Sequence, residues 1–214
     1  LDAIWANLDA IGGGLLTTVE LTVLSFACAL VLGTVVAVAR ICPVPLLRAL
    51  GTGYVEIFRN VPLLMLLVLI VFALPDAGVS VSLFASVVAG VASYAAAYVC
   101  EAIRSGVNNV GVGQVEAARA VGMTFTQVLV HVVLPQAFRS MVQPLTNIFI
   151  AVALSTSLAA SVGVMDLTGV TRMLNVNYAQ PVPAFLCAGL CYVLITLGAG
   201  LLGGVVERRL RVGR

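Results

Sequence analysis

Residues 114–122 read Gln-Val-Glu-Ala-Ala-Arg-Ala-Val-Gly, the part of this chain whose side chains could act on a partner. Glu116 and Arg119 stand three apart and can pair on one helix face. Ala117 and Ala118 add almost no bulk beside the acid. A lone carboxylate on an alanine surface suits close approach to a groove on another protein. A lipid-binding interfacial helix would instead want a cationic face, and this one is nearly neutral. Other chemistry is poorly supplied. The sole histidine, His131, has no G-x-S-x-G or H-E-x-x-H around it. The five cysteines form no C-x-x-C pair, and Cys187 and Cys191, four apart, are too few for a thiolate metal site. A P-loop needs lysine, and all eleven basic residues are arginine, so this chain cannot be its own ATP-driven motor.

The elements that must hold this segment are hydrocarbon-rich. Of 214 residues, 61% are hydrophobic and 9% charged, with a mean hydropathy of +1.14. Soluble domains carry about 25% charged residues. A membrane-crossing helix needs about 20 apolar residues, so the length holds five or six spans and no separate soluble catalytic domain. Long runs of Val, Ala and Leu favour helices over barrel strands, which alternate with a period of two. The expected fold is a single all-α transmembrane domain over 1–214, with spans near 15–39, 54–74, 79–100, 137–154 and 182–206. A polar interlude covers 105–136, and residues 155–181 are mixed in character.

Inside the interlude, Gly111 and Gly113 interrupt the chain and a short helix begins near Gln114. Gly122 ends it, as a residue tolerant of positive φ should. Thr124 and Gln127 fit a capping box that opens a second helix, and Pro135 is expected to stop or kink that helix after Leu134. Arginine excess marks the cytoplasmic side. Arg208, Arg209, Arg211 and Arg214 put the C-terminus inside, so five spans put the N-terminus outside. Arg40, Arg48, Arg59, Arg104, Arg119 and Arg139 then fall inside, while Asp2, Asp9, Asp76 and Asp166 fall outside with Arg172 as the exception. Acidic rather than basic residues near the start speak against a cleaved signal peptide.

Glu116-Ala117-Ala118, three residues, Gly122, nine residues, then Val132-Val133-Leu134-Pro135 resembles the EAA signature of ABC importer permeases, with Val132 where isoleucine is usual. Arg59-Asn60-Val61-Pro62-Leu63, Ala97-Tyr98 with Glu101, Arg104 and Gly106, Gly113-Gln114, Pro135-Gln136-Ala137, and Pro144 with Asn147 are similar to the polar amino-acid branch, the glutamate, glutamine and histidine type. Leu154-Ser155-Thr156-Ser157-Leu158 departs from it, lacking the Lys-Asp or Lys-Asn that often precedes this serine-leucine. The resemblance implies a type I, MetI-like permease in a bacterial plasma membrane, carrying a polar amino acid such as glutamate. Gln114, Glu116, Ala117, Ala118, Arg119 and Gly122 would couple to a separate nucleotide-binding ATPase. Asn147, Thr156 and Ser157 would line the substrate path, with Thr22 and Ser93 as further polar groups.

The same resemblance implies a second permease subunit, identical or homologous, and an extracytoplasmic amino-acid-binding protein. Membrane lipid surrounds the spans, and no nucleic acid is involved. The chain itself would hold no cofactor or metal and would not be an enzyme, ATP and Mg belonging to the partner ATPase. The alternative is a secondary transporter or channel without ATP coupling. Those usually carry ionisable residues mid-span, whereas Glu20, Glu101 and Arg104 are expected at span ends. The topology has a direct test. In a cysteine-free background, Asp76→Cys should react with an impermeant thiol reagent from outside and Arg209→Cys from inside. Labelling of both from one face would refute five spans.

Overall fold

The computed structural model describes residues 2–210, and every regular element among them is helical. A helical turn, Asp2–Trp5, precedes α1 (Leu8–Ile41). Then come α2 (Pro45–Asn60), α3 (Leu63–Asp76), α4 (Leu83–Asn108) and α5 (Val112–Ala120). The chain continues as α6 (Phe125–Val162), α7 (Leu167–Tyr178) and α8 (Pro181–Leu210). Four of these, α1, α4, α6 and α8, are long and apolar enough to cross a membrane alone, and α2 with α3 makes a fifth candidate. The expected class is therefore present, with different boundaries.

Proline accounts for much of the difference. Residues 54–74 are expected as one span, but α2 and α3 meet at 106° across Val61-Pro62. Val61 is extended, at φ −93° and ψ 132°, as the residue before a proline prefers. Pro135, expected to stop or kink its helix, does not end it. Residues Leu129–Val133 form a π-helical turn and α6 runs on beyond it. Proline cannot donate to the carbonyl four residues back and crowds it; a wider turn relieves that conflict without ending the helix. Pro75 is treated the same way, behind the π-helical turn Leu69–Ala73. The interlude 105–136 consequently shrinks, because α4 takes its first residues and α6 its last ones.

The core is the crossing of α1 with α4. Leu21 and Ala29 of α1 and Val87, Val91, Ala95, Ala96 and Val99 of α4 are buried together. The helices touch at Gly33, where an added Cβ would stand 2.6 Å from Val99 Cβ and 2.7 Å from the Ala96 carbonyl. With lipid tails as apolar as leucine, close van der Waals contact through small residues holds such helices together. By contrast α8 is peripheral, with Ala184 and Ala188 as its buried residues.

The mixed stretch 155–181 is ordered. A 3₁₀ segment, Thr156–Val162, ends in a left-handed Gly163, and α7 follows. Asp166 is fully buried and caps α7 by accepting from the Gly169 amide at 2.9 Å. Tyr192 of α8 donates to its other oxygen at 3.1 Å. Next to it the Leu167 amide donates to Thr18 Oγ1 of α1 at 3.0 Å. Burial pushes the Asp166 carboxyl above its ordinary range, and the bonds from Gly169, Thr168 and Tyr192 pull it back. The Asp166 carboxyl thus ties α7 to α8, and the Leu167 amide ties it to α1. Asp166→Ala should cost about 1–2 kcal/mol, from the lost cap and the lost Tyr192 bond, although that hydroxyl keeps Thr168 at 3.0 Å, and lower the melting temperature in detergent. Asp166→Asn, which still caps, should lower it less. Equal losses would contradict the capping role.

Candidate functional site

The α5 segment is held by its ends. The Gly122 amide donates to the Arg119 carbonyl at 3.0 Å and the Met123 amide to the Ala118 carbonyl at 3.2 Å. This pair of bonds is a Schellman stop, which needs a left-handed residue, and Gly122 supplies φ 88°. Thr124 then opens α6 with a capping box. Its amide donates to Gln127 Oε1 at 2.8 Å and its hydroxyl accepts from the Gln127 amide at 3.4 Å. Between these bonds α5 has little freedom relative to α6.

The triplet divides by face. Ala118 is buried, and α5 rests on the first turns of α6. Gln114, Glu116, Ala117, Arg119 and Gly122 are exposed. Around them lie uncovered apolar side chains, Val112, Val121 and Phe125, the last 69% exposed. The expected Glu116–Arg119 pair does not form, since among the described residues the ion pairs are both at Glu101. At a surface such a pair is weak, so both charges point outward, free for a partner. The face is a flat apolar patch carrying one acid and one base.

Below α5 the loop closes tightly. Ser140 Oγ of α6 shares its proton between the Ala137 carbonyl at 2.8 Å and the Gly106 carbonyl of α4 at 3.0 Å. A Cβ on Gly106 would collide with Met141 and come within 3.2 Å of the Ala137 carbonyl. The base of the loop is thus clamped to α4 and α6 together.

Those same two helices line a groove of about 350 Å³, with Tyr94, Tyr98 and Ala95 on one wall and Asn147, Ala151 and Ser155 on the other. The Tyr94 and Tyr98 hydroxyls are 3.0 Å apart. Tyr98 also borders a polar cleft of about 280 Å³ with Glu56, Arg59 and Asn60 of α2. The Arg59 guanidinium lies 5.7 Å over its ring, within cation–π range. Glu101, one turn further along α4, bonds Arg40 of α1 and, at 3.4 Å, Arg104. The helix continues past it to Asn108, so Glu101 and Arg104 lie within α4 rather than at its end.

The residues expected to line a path separate here. Asn147 is exposed to the groove. Thr156 is fully buried and its hydroxyl donates to the Ala153 carbonyl at 2.7 Å. Ser157 is half-buried and donates to the Leu154 carbonyl at 2.7 Å. Thr22 is buried and donates to Thr18, while Ser93 offers its carbonyl to Tyr54. Neither Thr156 nor Ser157 borders the groove; Ser155, their neighbour, does. Sequence reasoning missed Tyr94, Ser155 and the Arg59–Tyr98 contact. The i, i+4 spacing of Tyr94 and Tyr98 was the available signal.

The family of binding-protein-dependent transport system inner membrane components matches residues 29–212. Among curated relatives, the probable glutamine ABC transporter permease protein GlnM of Bacillus subtilis is 34% identical, over 92% of this chain and 91% of its own. The glutamate transport system permease protein GluC of Corynebacterium efficiens is 32% identical, over 97% and 98%. Among solved structures, an amino acid ABC transporter with histidines superposes with a TM-score of 0.91 at 28% identity, each chain covered to 96%.

The turn after α5 can be tested by itself. Gly122→Val forces a β-branched residue to φ 88°, costing at least about 1–2 kcal/mol. Amide exchange over residues 118–124 should speed up, with the α1–α4 core still protected. Unchanged exchange there would mean the turn does not depend on its left-handed residue.

Proposed function

This chain belongs to the family of binding-protein-dependent transport system inner membrane components, and on that premise we propose that it is the permease subunit of an ATP-driven amino-acid importer, moved by a separate ATPase through α5. One observation carries the reading. The exposed Glu116 face sits on a loop whose base is clamped to α4 and α6, the two helices that line the Asn147 groove. A push on α5 is therefore delivered to both walls of the groove. Packed helices answer such a push by switching between discrete arrangements.

The groove favours a small zwitterion over an ion alone. In the adjoining cleft, which shares Tyr98 with it, Arg59 can meet a carboxylate and Glu56 an ammonium, and in the groove Asn147, Tyr94 and Ser155 can replace lost water. Without such groups, moving a charge through about 30 Å of hydrocarbon is prohibitive. Relatives named for glutamine and for glutamate support a polar amino acid, with glutamate as one member of that class. Gln114, Ala117, Arg119 and Gly122 present the contact with the ATPase, which holds ATP and Mg. A second permease subunit completes the path, and an extracytoplasmic binding protein delivers the substrate. The plasma membrane is the location, with the arginine-rich end of α8 inside.

Two variants of the reconstituted complex test separate halves of this reading. Glu116→Ala would remove this chain's half of the charge pair proposed with the ATPase, a loss of about 2–5 kcal/mol where such a pair is buried at the interface. Substrate-stimulated ATP hydrolysis and uptake should both fall to background while insertion is normal. Asn147→Leu should lower amino-acid uptake several-fold with basal ATP hydrolysis retained. Stimulation that survives Glu116→Ala removes α5 as the transmitter, and unchanged uptake in Asn147→Leu removes the groove from the path.

A further inference from the structure

On the side of α6 away from Asn147 lies a second groove of about 350 Å³, between α1, α6 and α8. Leu145 and Phe149 of α6 form its floor with Phe26 of α1, and Ala199, Leu202 and Val206 of α8 form its far wall. Phe26 and Phe149 meet edge to face at 5.1 Å. Thr146 is its one polar side chain, and that hydroxyl already donates to the Val142 carbonyl at 2.8 Å. Nothing in the groove asks for water or a polar ligand. It is open to the outside of the bundle, with Leu202 69% exposed.

Its two long walls run antiparallel, from Val142 to Phe149 and from Val206 back to Ala199. Each is about 10 Å long at about 1.5 Å per residue. Three residues beyond the same end of each wall stands an arginine, Arg139 before Val142 and Arg209 after Val206. Three residues is close to one helical turn, so each arginine stays near the groove side of its helix. Arg208 adjoins them. Gln143 donates to Glu207 at 2.6 Å across one rim, which occupies the nearby acid. All three arginines are exposed, and among the described residues none has an ion pair or hydrogen bond.

We propose that this groove binds one anionic phospholipid, an acyl chain lying between α6 and α8 and the phosphate held by Arg139 and Arg209. An apolar slot about 10 Å long, ending about one turn short of two arginine positions, matches a lipid's division into tail and headgroup. Guanidinium suits phosphate because its planar donors bind two oxygens together. A second copy of this chain is the competing occupant. Related by an axis normal to the membrane, it would bring its own Arg139 and Arg209 to the same depth, and like charges would oppose the contact. The site concerns the bilayer and holds whatever the chain transports.

The test uses the full transporter complex extracted from membranes containing phosphatidylglycerol and phosphatidylethanolamine, with retained lipid measured by mass spectrometry. Wild type should keep phosphatidylglycerol selectively. The double variant Arg139→Gln/Arg209→Gln should reduce its ratio to phosphatidylethanolamine at least about tenfold. Ala199→Phe, which fills the slot and leaves the arginines, should do the same. Added phosphatidylglycerol should raise the melting temperature of wild type and of neither variant, and all three proteins should elute as the intact complex. An unchanged lipid ratio in the arginine variant would overturn the proposal. So would efficient cross-linking of Ala199→Cys to the second permease subunit, which would show protein covering the groove.

Discussion

A backbone in hydrocarbon must satisfy its own hydrogen bonds, and that constraint shapes this chain more than any pair of side chains. Long helices are the answer over α1, α4, α6 and α8. Prolines are where the answer fails, and three of them meet two local outcomes. At Pro62 the helix breaks and restarts at 106°. At Pro75 and Pro135 a π-helical turn absorbs the missing donor and the chain stays helical. Because α6 survives Pro135, the segment below it is rigidly continuous with the groove wall above it. A break there would have left α5 hanging on a hinge.

Contacts between helices follow from small side chains. Gly33 lets α1 lie against Ala96 and Val99 of α4, and Gly106 lets α4 lie against Ala137 and Met141 of α6. The first contact builds the core, and the second makes one body of the loop base and the groove walls. Hydrogen bonds add direction. Ser140 to Gly106 joins α4 to α6, and Asp166 with Tyr192 and Thr18 with Leu167 join α7 to α8 and α1. Thr18 and Asp166, the buried members of this set, both have partners, as a low-dielectric interior demands.

Function divides along the same lines. On the proposed reading, the exposed face of α5 requires little beyond a fixed orientation, which the Schellman turn and the capping box provide. The groove takes its polar groups from α4 and α6, Tyr94, Tyr98, Asn147 and Ser155, and Tyr98 also borders the polar cleft that holds Arg59 and Glu56 of α2. Its opposite, between α6 and α8, is almost wholly apolar. One helix thus separates a polar-lined side from a lipid-like side, and its 3.6-residue period does the sorting.

Much was legible in the residues themselves. Composition determined a helical membrane chain, because few charges and long apolar runs leave no other fold. Local chemistry determined both ends of the turn at 122–124, since a left-handed stop wants glycine and a capping box wants Thr and Gln at fixed spacing. The EAA signature pointed to the family that residues 29–212 match. Tertiary structure decided the rest. Whether Pro62 breaks a span and Pro135 does not depends on what surrounds each one, and both residues read alike in a string. Asn147, Thr156 and Ser157 stand alike in the string, but helix rotation set by packing turned Asn147 and Ser155 to the groove and spent the hydroxyls of Thr156 and Ser157 on their own backbone. Glu116 and Arg119 had the spacing to pair, yet Glu101 is the acid that holds arginines, with Arg40 reaching it from another helix. Spacing along a chain fixes which side chains share a face; which way that face points is set by neighbours far away in sequence.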